Sequence, residues 1–142
     1  MESATRPTTG ADGPYWQAMA AGRLELPRCE DCGRWHWPAV FRCGSCGSWS
    51  QAWHSLAMQG QVFSYARSWH PFAGAEGIAV PYVSLVVELP QAGGRRVLGL
   101  LRGDERDLAI GAEVKGIAAS TLVGETPIPA MHWFLNNAER GA

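Results

Sequence analysis

The chain has 142 residues, of which 46% are hydrophobic and 18% are charged, which suits one compact unit or a small module joined to a modest domain. The formal net charge is -1, so the sequence creates no strong positive field, and this argues against a general nucleic-acid binder. No apolar run approaches the roughly 20 residues that a membrane-spanning helix needs.

The N-terminal residues are predicted to form a leader and a short helix. Residues 1–13 are small and polar, which is typical of a flexible leader, and they lack the basic start and apolar core of a signal peptide. We therefore expect a cytoplasmic protein. Residues 14–26 are predicted to be a docking helix and an extended lead-in, with Asp12 as the N-cap, Pro14 in the first turn and Gly22 at the end.

Residues 27–52 contain all four cysteines of the chain in the spacing C-x2-C-x10-C-x2-C, namely Cys29, Cys32, Cys43 and Cys46. Two residues between thiolates allow one tight turn to present both sulfurs to a single ion, and two such turns supply the tetrahedral sulfur set that zinc prefers. Gly33 and Gly47 follow the pairs and tolerate the positive φ of such turns. The spacing predicts a zinc ribbon with one structural Zn²⁺.

Two disulfides, or a redox C-x-x-C pair, are the alternatives for the cysteines. No secretion signal accompanies them, and a duplicated pair with glycines fits a ribbon better. Catalytic zinc keeps a position open for water, whereas four thiolates leave none. His36 lies nearby and could compete as a ligand, but two full pairs make it superfluous, so we expect it on the surface or in packing. The metal is expected to hold the fold.

Residues 53–136 are predicted to be a β unit, because five short stretches are rich in β-branched, leucine and aromatic residues and several alternate with a period of two. The stretches are QGQVFSYARSWH, VPYVSLVVELP, RRVLGLLRG, GAEVKGIAAS and IPAMHWF. Gly93-Gly94 suits a hairpin turn, and the polar GDERDLAIGAEV has room for a helical turn. This pattern fits a five-stranded barrel of the OB type, with an open five-stranded sheet as the alternative. Residues 137–142 are predicted to be a tail.

The order of these parts is similar to that of a known family. A Y-W helix precedes G-R-L-x-L-x-R-C, the ribbon contains CGRWHWP, and the strands contain G-Q-V-F-S-Y, VPY and IG-A-E-V. Over residues 14–135 this order resembles the zinc-ribbon-plus-OB-fold proteins, long catalogued as a domain of unknown function and described as acyl-CoA-associated. The resemblance implies a mainly β fold, in which a short helix and a rubredoxin-like zinc ribbon precede a five-stranded OB-fold barrel.

The same resemblance implies that the chain is a partner of an enzyme. Members of the family sit beside thiolases or thiolase-like enzymes, and others pair with thiolase-fold aldolases that shorten the sterol side chain as a CoA thioester. It implies a non-catalytic accessory subunit in a hetero-oligomer, with a hydratase subunit as a further partner. It also implies that the barrel lines the path of the CoA thioester, which the two proteins would share.

The residues themselves indicate no catalytic site. With all four cysteines on a metal no thiol remains to be acylated, and the histidines form no recognisable catalytic arrangement. Seven tryptophans are a high load for a small domain, and a ribbon has little interior, so some of these rings are expected to face a partner. The residues expected to face a partner or substrate are Trp16, Trp35, Trp37, His70 and Phe72.

Two other functions stay open on the sequence. A single-stranded nucleic-acid-binding OB fold with a zinc ribbon would stack bases on Phe63, Tyr65 and Trp69, although no basic stripe accompanies them. Direct binding of CoA by the barrel would use arginines to grip its phosphates. The candidates for that grip are Arg67, Arg95, Arg96 and Arg102.

Overall fold

The computed structural model describes residues 10–136, and the mainly β fold predicted from the sequence is confirmed. The predicted tail and residues 1–9 of the predicted leader lie outside the described residues. No helix among residues 10–136 is long and apolar enough to cross a membrane. The elements are α1 Gly13–Ala20, β1 Leu24–Cys29, β2 Gln51–Leu56, β3 Gln59–Ser68, β4 Tyr82–Leu89, a 3-10 turn Pro90–Ala92, β5 Arg95–Leu101, β6 Glu113–Val123 and β7 Thr126–Leu135.

Helix α1 ends where the sequence predicts but is not capped as predicted. Gly22 has φ 87°, and its N–H donates to Met19 O at 3.0 Å, which closes the C-terminal end. The Asp12 side chain makes no capping bond to the backbone; its Oδ2 instead accepts a hydrogen bond from Trp16 Nε1 at 3.0 Å. Tyr15 and Met19 are buried in the hydrophobic core, so the short helix is stabilised by docking on the rest of the chain.

Strands β1 and β2 form a separate antiparallel pair that carries the first cysteine at its end. Leu24 pairs with Leu56 at one end of this sheet and Cys29 pairs with Gln51 at the other. Strand β2 therefore runs across the boundary predicted between residues 52 and 53. The division of the chain into 14–26, 27–52 and 53–136 stays a prediction.

The remaining five strands close into a barrel in the order β3-β4-β5-β7-β6. Antiparallel pairing of β3 with β6 completes the ring, and the one parallel contact joins β5 to β7. All five predicted strands are present, and closure excludes the open-sheet alternative. The polar connection from β5 to β6 contains a turn, with Leu108 N–H donating to Glu105 O at 3.1 Å, but no helix.

The barrel has two ends that carry different structures. Helix α1 contacts β6 and β7, and the ribbon lies at the turn between β4 and β5; we call this the ribbon end. The connection 69–81 and the β6–β7 turn at 124–125 lie at the opposite, loop end. The connection contacts the end of β6 there, because a Cβ built on Gly77 would lie 2.7 Å from Leu122 Cβ. The eight residues of β4 separate the two ends by about 26 Å.

The interior of the barrel is filled by one tryptophan between two glycines. Trp133 is completely buried. A Cβ built on Gly99 would lie 2.6 Å from Trp133 Nε1, and one built on Gly116 would lie 2.7 Å from Trp133 Cε3. The indole thus occupies the space that two side chains would otherwise take. The inward face of β4 packs around it with Val83, Leu85, Val87 and Leu89.

Gly99→Ala is expected to lower the free energy of unfolding by about 1–3 kcal/mol, because the new methyl group would overlap Trp133 and Met131 O, which lies 2.6 Å from the same Cβ position. Urea unfolding followed by circular dichroism measures the change. Gly44→Ala is the control, since nothing lies within 4 Å of a Cβ at Gly44 and its φ is not positive. Equal stabilities for the two variants would contradict the close packing of the indole.

Candidate metal centre and partner surface

The four cysteine sulfurs converge on one point, and all lie within 4.8 Å of one another. Cys29 Sγ is 3.6 Å from Cys46 Sγ, and Cys32 Sγ is 3.6 Å from Cys43 Sγ. A tetrahedral zinc with Zn–S bonds of about 2.3 Å separates its sulfurs by about 3.8 Å, so the donor set fits one zinc ion. The sulfurs are too far apart for the S–S bonds of the disulfide alternative, which measure about 2.05 Å.

The electrostatics of the four thiols also favour a cation among them. The backbone N–H of Cys32 lowers the pKa of the Cys29 thiol to about 6, and the N–H of Cys46 lowers the pKa of Cys43. The N–H of Ser48 acts in the same direction on Cys46, yet desolvation and the three neighbouring sulfurs raise the pKa of Cys46 to about 12. Four negative charges this close repel one another, and a divalent cation removes that repulsion.

Each cysteine pair belongs to a repeated unit, R-C-x2-C-G-x-W, which occupies residues 28–35 and again residues 42–49. We call these units knuckle 1 and knuckle 2. Their backbones match: Cys29 N–H donates to Arg34 O at 2.8 Å, and Cys43 N–H donates to Ser48 O at 2.8 Å. The glycines have φ 79° and 82°, as the sequence predicts for such turns.

The arginine and the tryptophan of each unit are also held alike, although neither was recognised as part of the repeat from the sequence. Arg28 Nε donates to Gly33 O at 2.7 Å, and Arg42 Nε donates to Gly47 O at 3.0 Å. Each guanidinium also lies over the tryptophan ring of its own unit, at 5.3 Å in knuckle 1 and 5.7 Å in knuckle 2. Aligning the chain with itself at an offset of 42 − 28 = 14 residues would have revealed both positions.

Knuckle 1 attaches the ribbon to the barrel. Trp35 lies against the turn between β4 and β5, where a Cβ built on Gly93 would be 3.2 Å from Trp35 Cδ1. Arg95 Nε, from the start of β5, donates to Trp35 O at 2.8 Å. Beside this contact lies a cleft of about 420 Å³ lined by Cys32, Gly33, Arg34, Trp35, Ser45, Gly93 and Arg95.

His36 is buried and does not belong to the sulfur cluster. Desolvation, followed by the charges of Arg95 and Arg34, lowers the pKa of His36, which favours the neutral imidazole. Its Nε2 has no hydrogen-bond partner among the residues that the structure describes. Of the two roles expected from the sequence, His36 has the packing role and not the surface one.

Comparison with known proteins agrees with this geometry. Residues 16–50 match the family of the ChsH2, rubredoxin-like zinc ribbon domain. A chain of the Ltp2-ChsH2(DUF35) aldolase has a similar structure, with a TM-score of 0.76 and 26% sequence identity over 92% of this chain and 98% of that chain.

A protein of unknown function from the DUF35 family of Sulfolobus solfataricus superposes with a TM-score of 0.58 over 94% of this chain and 90% of that chain. Its 17% identity shows a shared fold alone. No curated protein matches the sequence. Together these matches confirm the resemblance to zinc-ribbon DUF35 proteins that the order of motifs indicates.

The residues predicted to face a partner do not form one surface. Trp16, Trp35 and Trp37 are half-buried at the ribbon end and pack against the hydrophobic core. His70 and Phe72 are exposed at the loop end, with ring centroids 4.8 Å apart. Their contacts with a partner or substrate stay predictions.

Sequence reasoning did not single out the two most exposed tryptophans as facing a partner. Trp49 in knuckle 2 is 72% exposed, and Trp69 after β3 is 71% exposed. Nothing in the local sequence separates these rings from the half-buried ones. The exposure of each ring depends on how the segment that carries it is oriented relative to the barrel.

The arginines beside the β3 aromatics are engaged within the chain. Arg67 forms an ion pair with Glu105, and Arg96 lies 3.8 Å from the Glu88 carboxylate. The Arg96 guanidinium also lies 3.6 Å from the ring centroid of Phe63, so it covers one face of that ring. The described residues therefore form no continuous basic surface for nucleic acid beside these aromatic rings. Arg67 and Arg96, two of the four arginines suggested as ligands of the CoA phosphates, already pair with carboxylates.

We expect the purified protein to bind one zinc ion per chain and Cys46→Ser to lose most of it, because a missing thiolate opens the closed tetrahedral set. Zinc content by atomic absorption and the visible spectrum of the Co²⁺-substituted protein measure the occupancy and the ligand field. Ser45→Ala, the neighbouring substitution that removes no ligand, should keep the full zinc content. Full zinc content in Cys46→Ser would contradict a centre that needs all four sulfurs.

Proposed function

We propose that this chain is a non-catalytic accessory subunit that binds a thiolase-like enzyme acting on acyl-CoA thioesters. The partner is a thiolase or a retro-aldolase of steroid side-chain degradation, and the chain helps to form the CoA-substrate site of that enzyme. The Zn²⁺ held by Cys29, Cys32, Cys43 and Cys46 is structural, and a hydratase subunit is a further candidate partner.

The observation that carries this proposal is the whole-chain likeness to a chain of the Ltp2-ChsH2(DUF35) aldolase. That likeness extends over 92% of this chain and 98% of the other, so it includes the barrel as well as the ribbon. A closed metal site and an aldolase-associated relative both support an accessory role. The thiolase alternative rests on the family resemblance of the motifs.

The chemistry of the described residues supports a non-catalytic role. The four thiols are directed at one metal position, so none is available as a nucleophile. The histidines lie on different elements, and His132 Nε2 is 3.1 Å from Thr121 Oγ1, which assigns that ring to a contact within the barrel wall. A partner enzyme would then supply the groups that react.

The packing of the barrel favours an outer surface for the CoA thioester. Trp133 is completely buried and lies against Gly99 and Gly116, so the indole occupies this part of the interior. Arg34 and Arg95 line the cleft beside knuckle 1, where the ribbon meets the barrel. Arg95 Nε already donates to Trp35 O, so we expect the enzyme to supply most contacts to the CoA phosphates.

Co-expression with a thiolase-like enzyme from the same genome should give a stable hetero-oligomer that elutes as one peak in size-exclusion chromatography. Cleavage or thiolysis of acyl-CoA by the enzyme should fall when the accessory chain is left out, because part of the substrate site is then missing. Separate elution of two proteins, with full activity of the enzyme alone, would contradict the proposal.

Calorimetric titration of the isolated chain with acyl-CoA tests the shared site. We expect no measurable heat up to millimolar ligand, since few phosphate contacts come from this chain, and binding only to the complex. Tight binding by the isolated chain would show that this chain holds the CoA thioester by itself.

A further inference from the structure

The two knuckles have the same internal contacts but different surroundings. Both have the same backbone bonds, the same arginine–carbonyl bond and the same arginine over the tryptophan ring. Trp35 of knuckle 1 packs on the barrel of its own chain, whereas Trp49 of knuckle 2 is exposed. The surroundings of knuckle 1 therefore show what kind of surface such a unit binds.

Knuckle 1 contacts the barrel through its tryptophan. Trp35 packs on the Gly93 turn, where a side chain would come within 3.2 Å of the ring, and the Trp35 carbonyl accepts a hydrogen bond from Arg95 Nε. Pro27, which precedes Arg28, is buried. The surface that accepts the unit thus has a small residue under the indole and a donor beside its carbonyl.

The side chains at the corresponding positions of knuckle 2 are exposed to solvent. Trp49 is 72% exposed, and Phe41, which corresponds to Pro27, is 60% exposed. Arg42, whose Nε donates to Gly47 O, lies over the Trp49 ring with its guanidinium carbon 5.7 Å from the ring centroid, which favours one orientation of the indole. A large aromatic side chain held in place before binding loses little conformational entropy on docking, and tryptophan is enriched among residues that dominate binding energy.

We propose that knuckle 2, with Trp49 and Phe41 as its anchors, is the surface through which this chain binds its enzyme partner. The partner presents a shallow apolar recess with glycine or another small residue at its floor and a hydrogen-bond donor positioned for the Trp49 carbonyl. This inference rests on the proposed function, because the partner is the thiolase-like enzyme named there. Trp49 is one of the ribbon tryptophans, some of which the sequence predicts to face a partner, and Phe41 was not considered from the sequence.

A second copy of the chain does not fit this surface. The recess that accepts such a knuckle is the Gly93 turn with Arg95, and Trp35 of the same chain already fills it. Two copies would therefore offer each other two anchors and no free recess of this kind among residues 10–136. The chemistry favours a different protein.

The loop end provides a matched control. Trp69 is 71% exposed, almost the same as Trp49, but it follows the last residue of β3, at the other end of the barrel. Within the described part of the chain, no cation or second ring packs against it. Replacing Trp49 or Trp69 by alanine therefore removes one exposed indole in each case, and the two variants differ in which end of the barrel loses it.

Trp49→Ala and Trp69→Ala should be compared for affinity to the thiolase-like enzyme by calorimetry or biolayer interferometry. We expect Trp49→Ala to bind about 10- to 100-fold more weakly, as is typical for a buried interface tryptophan, and Trp69→Ala to bind within about twofold of the unsubstituted chain. Phe41→Ala should give a smaller loss in the same direction. Zinc content should be unchanged in all three, since none removes a sulfur.

The outcomes separate this inference from the proposed function. If the unsubstituted chain binds the enzyme and Trp49→Ala binds equally well, knuckle 2 is not the docking surface, and the accessory function stands. If only Trp69→Ala loses affinity, docking is at the loop end and the inference is wrong. If the unsubstituted chain does not bind the enzyme at all, the proposed function itself fails. Sedimentation of the chain alone showing a dimer that Trp49→Ala dissociates would assign the surface to a second copy instead.

Discussion

The convergence of four sulfurs within 4.8 Å is the constraint on which the ribbon depends. Few residues of the ribbon other than Cys29, Cys43 and His36 are buried, so hydrophobic burial contributes little to its shape. A divalent ion would supply the attraction that an apolar core supplies elsewhere, and it would do so at the point where the two knuckles meet. The direction in which each tryptophan points follows from how the knuckles are joined there.

The barrel and the ribbon differ in what lies inside them. The barrel has an apolar interior in which Trp133 is enclosed by Gly99 and Gly116. The ribbon lies at one end of the barrel and carries two copies of one aromatic unit, of which Trp35 packs on Gly93 and Trp49 is exposed.

The arginines show how charge is used in this chain. Eleven of the 12 basic residues are arginine, and among those described the guanidinium groups serve mostly within the fold. Some hold the glycine carbonyls of the knuckles, and others pair with carboxylates such as Glu88, Glu105 and Asp104. Charges engaged in this way create little field at a distance, which agrees with the near-neutral composition and disfavours binding to a polyanion.

Local sequence determined the parts of this protein that depend on neighbouring residues. Cysteine spacing specified the sulfur cluster, and glycines specified the turns with positive φ. Stretches rich in β-branched, leucine and aromatic residues, several of them alternating, specified the five barrel strands. Each of these signals lies within a few residues of the structure it encodes. Tertiary structure alone decided the pairing of β1 with β2, the closure of the barrel and the burial of each tryptophan. Trp35 and Trp49 occupy equivalent positions in identical local patterns, yet one is packed on Gly93 and the other is exposed. The burial of a side chain depends on contacts between segments that are distant in the sequence, so a local sequence pattern does not predict it.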